Sequence, residues 1–549
     1  MDVVTILYNG NVLTMTGREQ PAQAVAIDRD GRIAEVGSES EVRVLARAGT
    51  RQIDMQGRTL LPGFFDCHLH LLWLGINLGH VDLSSPPVAN KQDIISLLRK
   101  QQEAEPRLTC LQGNRYDQNK LSIPEHLTRQ DLDQVSTTLP VRIVHTSGHA
   151  AVVNSRALQM LGYMHDTPDP VGGEIVRDAA GNPTGVLLET ASWNDLDRIL
   201  PEVTGNQKIA ALERANAYLL ARGITSASDA NMAQEDVSIY ARAVSENALQ
   251  VRTNGMIGWA EIMKGLGDAE APTPDAMQPV LKGLSWHRFH VGQAKLFSDG
   301  ALTTRTAWLT QPFAGMAGQP NDSGIPLHPP EEMKEYILRA HNAGWQIATH
   351  AIGDRAIDLV LSAYAEAQRL NTRHRPGHRI EHCMLLDTDM MTRLRRQNVW
   401  SIGQPEFLSQ LGDSYVMALG EERAERLSPY ASLDAHNVAQ AFSSDCPVVP
   451  GSPLDGLRAA IERRTPSGRI LNASERLAPD VAVYNYTASP AYATRTERDR
   501  GTIETGKWAD FALLSADPMR TSLSEWEQLQ VVATFIGGKC LFSAASFDI

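Results

Sequence analysis

The fold and chemistry of this chain are decided near its start, by Leu61-Pro-Gly-Phe-Phe-Asp-Cys-His-Leu-His70. A β-prone run carries two histidines two residues apart, and side chains in a strand alternate between its faces. His68 and His70 therefore point to one face, and Cys67 points to the other. Two imidazoles at the end of a strand can hold a divalent metal such as Zn, Mn, Fe or Ni. An isolated pair of this kind is more often two ordinary histidines, so the metal interpretation depends on the rest of the chain.

Composition places the chain among ordinary globular proteins. Its 549 residues are 42% hydrophobic and 21% charged, which is enough chain for two or more domains. The net charge of −13 argues against a surface that binds nucleic acid. The sequence shows no bilayer-spanning run and no signal peptide, and its five widely spaced cysteines are typical of free thiols in a reducing compartment. We therefore expect a cytoplasmic enzyme with a small-molecule substrate and neither nucleic acid nor membrane as partner, and we leave a homodimer open.

Strand and helix patterns alternate from about residue 206 onward, which predicts an α/β fold with a parallel sheet. Together with the stretch around His68 they give eight strands, the number that closes a TIM-type (β/α)8 barrel. Residues 80–205 interrupt this rhythm after the first strand, so they are predicted to form an insertion that caps a site. The eight predicted strands are Pro62–Leu74, Ile224–Asp229, Val251–Trp259, Phe289–Phe297, Trp345–His350, Arg379–Leu385, Val399–Gly403 and Val438–Ser443.

Four more potential ligands lie near the carboxyl ends of predicted strands, where barrel enzymes assemble their sites. They are Lys295, His350, His382 and Asp445. With the histidine pair they belong to the first, fourth, fifth, sixth and eighth strands. This shared position favours one metal site over a scatter of unrelated polar residues.

Five ordered motifs and the tail make the chain resemble the amidohydrolase superfamily, and within it the amidohydrolase-3 (YtcJ-like) group, which includes N-substituted formamide deformylases. The resemblance covers nearly the whole chain. It implies a metal-dependent barrel from residues 61–79 and 206–479, a small β-sandwich from residues 1–60 and 480–549, and a cap or substrate-pocket region at 80–205. The matching segments are Leu61-Pro-Gly-Phe-Phe-Asp-Cys-His-Leu-His70, Lys295-Leu-Phe-Ser-Asp-Gly-Ala-Leu-Thr-Thr-Arg-Thr306, Thr349-His-Ala-Ile-Gly-Asp354, Ile380-Glu-His-Cys383, Ser443-Ser-Asp-Cys-Pro-Val448 and Gly501-Thr-Ile-Glu-Thr-Gly-Lys-Trp-Ala-Asp-Phe511.

The resemblance also implies roles for individual residues. Lys295 would carry a carbamate derived from CO2 that bridges two divalent metals, and Asp445 would be both a ligand and the general base. Zinc is the favoured metal, with Mn, Fe or Ni as alternatives. A metal lowers the pKa of bound water toward neutrality, so hydroxide is available to attack a carbonyl. The implied metal ligands are His68, His70, Lys295, His350, His382 and Asp445.

Substrate residues are predicted in the insertion and in the loop after the fourth strand. His149 would bind a carbonyl or a developing oxyanion, and Tyr116 would contact the side group of the substrate. Arg305 would hold a carboxylate through two parallel hydrogen bonds. An ordinary loop residue is an equally good interpretation of each of the three.

Three classes of function fit the sequence. The first is metal-dependent hydrolysis of a C–N bond in an amide, N-formyl compound, urea or carbamate. The second is a metal-dependent deaminase of a heterocycle, and the third is a barrel relative without catalysis. The resemblance implies that deaminases of this superfamily carry a His-x-x-Glu motif after the fifth strand. The corresponding segment here, His350-Ala-Ile-Gly353, lacks that glutamate. The six potential ligands argue against the third class, so C–N bond hydrolysis is the favoured prediction.

Overall fold

A parallel sheet of eight strands stands at the centre of the computed structural model. The structure describes residues 2–17, 22–267, 269–278, 281, 284–319, 321–372 and 377–547. Each strand of this sheet pairs in parallel with the next one along the chain. The strands are Phe64–Leu69, Ile224–Met232, Arg252–Gly258, Phe289–Phe297, Gln346–Ala351, Arg379–His382, Trp400–Gly403 and Gln440–Phe442.

Backbone hydrogen bonds join the last strand of this sheet to the first. The amide of Asp445 donates to the His68 carbonyl at 2.8 Å, and the amide of His70 donates to the Cys446 carbonyl at 2.8 Å. These bonds bring the two ends of the sheet together, so the predicted TIM-type (β/α)8 barrel is confirmed.

Helices cover the barrel by burying one apolar stripe each. Helix Asp354–Leu370, for example, buries Ile357, Leu361 and Tyr364, which recur at helical spacing. No helix within the described ranges has the length and hydropathy needed to cross a membrane. The helices of the barrel region are Gly205–Leu220, Asp236–Ser245, Trp259–Ile262, Pro330–Asn342, Asp354–Leu370, Thr388–Gln397, Glu406–Leu419, Glu421–Ala424, Tyr430–Ala435, Pro453–Glu462, Pro479–Tyr486 and Ala488–Ala493.

The first predicted strand, Pro62–Leu74, is three elements in the structure. Residues Thr59–Pro62 pair with a strand of the C-terminal tail, Phe64–Leu69 is the barrel strand, and Leu71–Asn77 is a helix. Gly63 separates the first two, and a Cβ there would lie 2.1 Å from the Thr225 hydroxyl oxygen. The helix begins early because the Asp229 carboxylate, from the neighbouring barrel strand, accepts a hydrogen bond from the Leu71 amide at 2.7 Å.

Strands from both ends of the chain form two further sheets. A four-stranded sheet holds only N-terminal strands, and a five-stranded sheet combines N-terminal and C-terminal strands. Leu7, Val25, Phe511 and Phe535 belong to one hydrophobic cluster that includes residues of both sheets. In sheet order the strands are Ile33–Gly37, Ala24–Asp28, Val3–Tyr8 and Arg51–Asp54, then Asn11–Val12, Thr59–Pro62, Phe511–Leu514, Val531–Ile536 and Lys539–Ser543, with helix Glu39–Arg43 beside them.

The stretch predicted as an insertion contains a six-stranded mixed sheet. It includes an antiparallel hairpin of Gly173–Arg177 and Pro183–Glu189. Its other strands are Val81–Asp82, Leu111–Tyr116, Val141–His145 and Ala150–Val153, and the helices beside them are Lys91–Ala104, Arg129–Asp133, Ser155–Leu161 and Thr190–Trp193.

Candidate metal centre

The closure of the barrel brings the histidine pair to Asp445. His68 lies in the first strand and Asp445 follows the eighth, so the two side chains lie close together where these strands are hydrogen-bonded. Asp445 Oδ1 lies 3.4 Å from His68 Nε2 and 3.2 Å from His70 Nε2. His382, at the end of the sixth strand, completes a buried group with His68 and Asp445 whose ligand atoms all lie within 4.8 Å of one another.

Two members of this group have strained backbones. The φ angles of His382 and Asp445 are 72° and 59°, in the left-handed region that L-residues rarely adopt. Such conformations persist only where the surrounding structure enforces them, and they cluster at functional sites. Both strained residues are at the carboxyl ends of barrel strands, where the backbone turns the side chains inward.

Three imidazoles are oriented through Nδ1. His68 Nδ1 donates a short hydrogen bond to Glu381 Oε2, His70 Nδ1 donates to the Ala230 carbonyl at 3.0 Å, and His382 Nδ1 donates to Gln404 Oε1 at 2.9 Å. When Nδ1 carries the proton, Nε2 keeps a lone pair, which is the form that binds a metal. Burial lowers the pKa of His70 below its usual value and that of His382 to about 3, so both rings are neutral at pH 7.

Glu381 is itself fixed by a buried arginine. Arg379 donates from Nε and Nη2 to the two carboxylate oxygens at 2.7 and 2.8 Å, and both side chains are fully buried. Burial raises the pKa of Glu381, but Arg379 and His68 lower it more, and the net pKa lies well below the usual range. The carboxylate therefore stays ionised and holds the ring of His68 in one orientation.

His350 is oriented through Nε2, whereas the other three imidazoles are oriented through Nδ1. Its Nε2 donates to the Gly300 carbonyl at 3.1 Å, which leaves Nδ1 with the lone pair. Burial lowers the pKa of His350 well below its usual value, so the ring is neutral. The ring centroid lies 4.5 Å from that of His382 and 5.1 Å from that of His149, so His350 connects the metal group to the insertion.

Lys295 points into the same group. The side chain is buried, and Nζ lies 3.4 Å from His68 Nε2. Burial lowers the pKa of Lys295 to about 8. The carboxylate of Asp299 accepts hydrogen bonds from the amides of Trp308, Ile352 and Gly353. In the part of the chain that the structure describes, Lys295 forms no ion pair with a carboxylate.

The chemistry of the converging atoms fits a divalent cation. Imidazole lone pairs approach one another together with Asp445 Oδ1, which is buried and has no hydrogen-bond donor among the described residues. A buried carboxylate oxygen without a partner is unfavourable unless a cation balances it. The centre therefore supports a divalent metal.

A cavity of about 1,100 Å³ opens beside the group. His149 is on its wall, and Nδ1 of this residue donates to Glu189 Oε2 at 2.7 Å. Burial lowers the pKa of His149, but the Glu189 carboxylate raises it more, and the net pKa lies above the usual value. The imidazole therefore has an increased cationic fraction and can donate a proton or a hydrogen bond. Other lining residues are His70, Trp73, Trp193 and Phe297.

Tyr116 faces away from this cavity. Gln112 and Asn114 on the same strand line the cavity wall. Arg115 has a φ of 67°, and the pairing with the next strand shifts register there, which interrupts the alternation of faces. The ring of Tyr116 is therefore buried in an apolar cluster of the insertion, and the hydroxyl donates to His126 Nδ1 at 3.0 Å. This position does not support the predicted contact with a substrate.

Arg305 is also outside the cavity wall. It is exposed in the turn after the fourth barrel strand, with a φ of 59°. The predicted carboxylate site at Arg305 therefore has no support from the geometry.

Other residues next to the candidate ligands contact the backbone or the protein core and not a ligand imidazole. Cys67, Cys383 and Cys446 are buried free thiols, and burial raises the pKa of each one. Asp66 accepts hydrogen bonds from the amides of His68 and Ser444, at 3.3 and 3.0 Å. Asp354, at the start of its helix, accepts from Thr310. We assign none of these residues to the chemistry.

Two side chains that orient imidazoles of the site were not predicted from the sequence. Gln404, which positions His382, directly follows the seventh barrel strand, so the strand-end rule that selected the other candidates applies to it as well. Glu189, which positions His149, ends a strand of the hairpin. The Ala230 carbonyl, which accepts from His70, could not be predicted from the sequence, because every residue carries a backbone carbonyl.

Comparison with known proteins agrees with this site. The profile of the amidohydrolase family matches residues 51–542. The chain is 30% identical to a putative amidohydrolase YtcJ of Bacillus subtilis (strain 168), with 98% of this chain and 99% of that protein covered. It is also 30% identical to an N-substituted formamide deformylase of Arthrobacter pascens, with 97% of each covered.

Solved structures give the same result. An uncharacterised metal-dependent hydrolase of Pyrococcus horikoshii OT3 superposes with a TM-score of 0.73 at 25% identity, with 95% of this chain and 99% of that one covered. This chain therefore belongs to the amidohydrolase family and is a hydrolase that acts on carbon–nitrogen bonds.

Proposed function

We propose that the chain hydrolyses an amide-type C–N bond of a small molecule, in an amide, an N-formyl compound, a urea or a carbamate. The observation that carries the proposal is the convergence of His68, His382 and Asp445 beside buried Lys295, next to a cavity of small-molecule size. The similarity to an N-substituted formamide deformylase supports N-formyl amines as the first compounds to test.

The proposed centre holds two divalent metals, with zinc as the favoured identity. Lys295 would bridge them as a carbamate, and such a pair, when bound, supplies Lewis acidity that acidifies water and polarises a carbonyl. The proposed ligands are His68, His70, Lys295, His350, His382 and Asp445.

Asp445 moves the proton in this proposal. As the attacking water adds to the carbonyl carbon, Asp445 accepts its proton and then delivers it to the leaving nitrogen. The C–N bond breaks, and the products are an amine and a carboxylic acid from an amide or N-formyl compound, or an amine and a carbamic acid or carbonic acid monoester from a urea or a carbamate. Asp445 Oδ1 is buried and has no hydrogen-bond donor among the described residues, so this oxygen is free to accept the proton.

His149 stabilises the oxygen of the reacting carbonyl. Its ring lies 5.1 Å from that of His350, and Glu189 supports its cationic form. Replacing His149 by glutamine is expected to lower kcat roughly 100-fold, because the variant loses a charged donor to the developing oxyanion. Metal content measured on the same samples should match that of the wild type, since His149 is not a proposed ligand. Unchanged kcat across several substrates would contradict this role.

The domain division predicted from the sequence is part of the proposal. The hydrophobic cluster shared by the two terminal sheets supports one β-sandwich built from both ends of the chain. The strand that contributes Gln112 and Asn114 to the cavity wall supports a capping role for residues 80–205. Helix Ala488–Ala493 contacts the first and eighth barrel strands, which supports a C-terminal boundary after that helix instead of at residue 480. The homodimer and the cytoplasmic location stay predictions.

A substrate panel tests the function. Metal-loaded protein is incubated with N-formyl, N-acetyl, urea and carbamate derivatives of one amine, and the released amine is quantified. We expect amine release from at least one class, with a matching amount of acid for the formyl and acetyl compounds. Ammonia release from an aminopurine without amine release from any of the four classes would contradict the proposal and favour a deaminase.

A further inference from the structure

One wall of the cavity is a face of the insertion's own sheet. Gln112, Asn114, Arg142 and Val144 line it from two neighbouring parallel strands. Arg142 is 8% exposed, so its guanidinium is buried at the cavity wall. The same cavity is also lined by Trp73, Trp193 and Phe297, which give it an apolar stretch in addition to the cationic group.

This arginine lacks a counter-ion. Among the described residues, it forms one hydrogen bond, from Nη2 to the Ser192 carbonyl at 3.2 Å, and no ion pair. Its Nε is buried without any acceptor. Burial lowers the pKa of Arg142 to about 10, so the group is still charged at neutral pH. A buried unpaired guanidinium is costly to a fold, and an anion that binds to it recovers much of that cost.

Nearby charges have the same sign. Arg214 also lines the cavity, and its Nε and Nη2 donate to the Gly75 carbonyl at 3.1 and 2.9 Å. Burial lowers the pKa of His80, and the charges of Arg142 and Arg214 lower it further. Asn114 donates to His80 Nδ1 at 3.0 Å, which fixes the neutral ring. This part of the cavity is cationic although the chain carries a net charge of −13.

The carboxylates that line the cavity are committed elsewhere or lie at its rim. Asp236 forms an ion pair with Lys208 at 2.5 Å. Asp229 accepts from the Leu71 amide and from a tyrosine hydroxyl. Glu105 accepts from a neighbouring glutamine, and Glu202 is exposed. None of these four groups neutralises Arg142.

We propose that Arg142 binds a carboxylate of the substrate, so that the preferred substrates are amides whose apolar body ends in an anionic group. The reactive C–N bond lies at the metal centre beside His70 and His149, and the carboxylate reaches Arg142 across the same cavity. This inference rests on the proposed function and adds the class of substrate to it. It also moves the carboxylate site from exposed Arg305 to a buried arginine of the insertion.

The test compares N-formyl ω-amino acids of increasing chain length with their uncharged carboxamides. At the length that spans the cavity, the wild-type kcat/KM for the carboxylate should exceed that for the carboxamide by roughly 10- to 100-fold, mainly through KM. Arg142→Gln should bring this ratio close to one, and Arg142→Lys should keep part of it because it retains the charge. Arg99→Gln, an exposed arginine of the insertion outside the cavity wall, is the matched control and should keep the wild-type ratio.

Calorimetry separates a failure of this inference from a failure of the proposed function. Metal-loaded wild type, Arg142→Gln and Arg142→Lys are titrated with hexanoate and with hexanamide. Any contact of hexanoate with the metal is common to all three proteins, so only the guanidinium accounts for their difference. Tighter hexanoate binding in the wild type than in both variants supports the anion site even if no amide is hydrolysed. Equal hexanoate affinity in the wild type and the variants, or a carboxylate preference that survives Arg142→Gln, overturns it. If Arg142→Gln does not fold, the Arg142→Lys comparison decides in the same way.

Discussion

Replacing Asp445 by asparagine is expected to lower kcat roughly 1,000-fold while the protein stays folded. Asparagine has nearly the same shape as aspartate and tolerates a left-handed backbone, so the φ of 59° at this position is no obstacle. What it lacks is a negative charge and a basic oxygen. The variant therefore cannot take a proton from water or return one to the leaving nitrogen.

Metal analysis on the same variant separates the two roles of Asp445. Retained metal with lost turnover assigns the residue to proton transfer, whereas loss of both assigns it mainly to holding the metal. Asp434→Asn, which changes an exposed aspartate on the barrel, is the control and should retain wild-type kcat and metal content. Wild-type kcat and metal content in Asp445→Asn would contradict both roles.

The barrel could be predicted because periodicity and local turn chemistry determine most of it. Strand Phe289–Phe297 has the bounds predicted from the sequence, and helix Asp354–Leu370 follows the fifth strand as strand–helix alternation indicates. The exception is the first strand, where Leu71–Asn77 is helical although the pattern favours an extended chain. Its first turn is stabilised by Asp229, more than 150 residues away along the chain, and no local pattern reports such a contact.

The candidate site also contains residues with a signal in the sequence and residues without one. His350, His382 and Asp445 were found because residues at the carboxyl ends of barrel strands converge, whatever the loops do. Tyr116 lies away from the cavity because one left-handed residue, Arg115, interrupts the alternation of its strand, and single-residue bulges have no reliable sequence signal. Arg142 looks like any strand arginine in the sequence, and only its burial without a counter-ion sets it apart.

Lys295 is the one proposed ligand that must be chemically modified before it can bind a metal. A protonated lysine cannot ligate a metal, because the ammonium group has no lone pair. Burial lowers the pKa of Lys295 to about 8, so about a tenth of the side chains is neutral at pH 7. In the proposed modification, the lone pair of neutral Nζ would attack the carbon of CO2, a new N–C bond would form and one proton would be released. The product is an anionic carbamate whose two oxygens can bridge two cations and balance their charge.

Replacing Lys295 by alanine is therefore expected to lower kcat/KM at least about 1,000-fold and to reduce the metal count below two per chain. Alanine leaves space where the carbamate would be, so added acetate should restore part of the activity by supplying a carboxylate there. Lys295→Met fills the same space with an apolar chain and should show no rescue, which makes it the matched control. Acetate also avoids the confusion that formate would bring as the product of deformylation.

Reconstitution with metal provides an independent measurement, because wild-type activity should recover faster with bicarbonate than in CO2-depleted buffer, whereas Lys295→Ala should show no such dependence. A crystal structure of the active protein with bare Nζ and a single metal would contradict the bridged pair. It would leave a mononuclear hydrolase in which Lys295 is a neutral neighbour of His68 and Asp445 alone moves the proton.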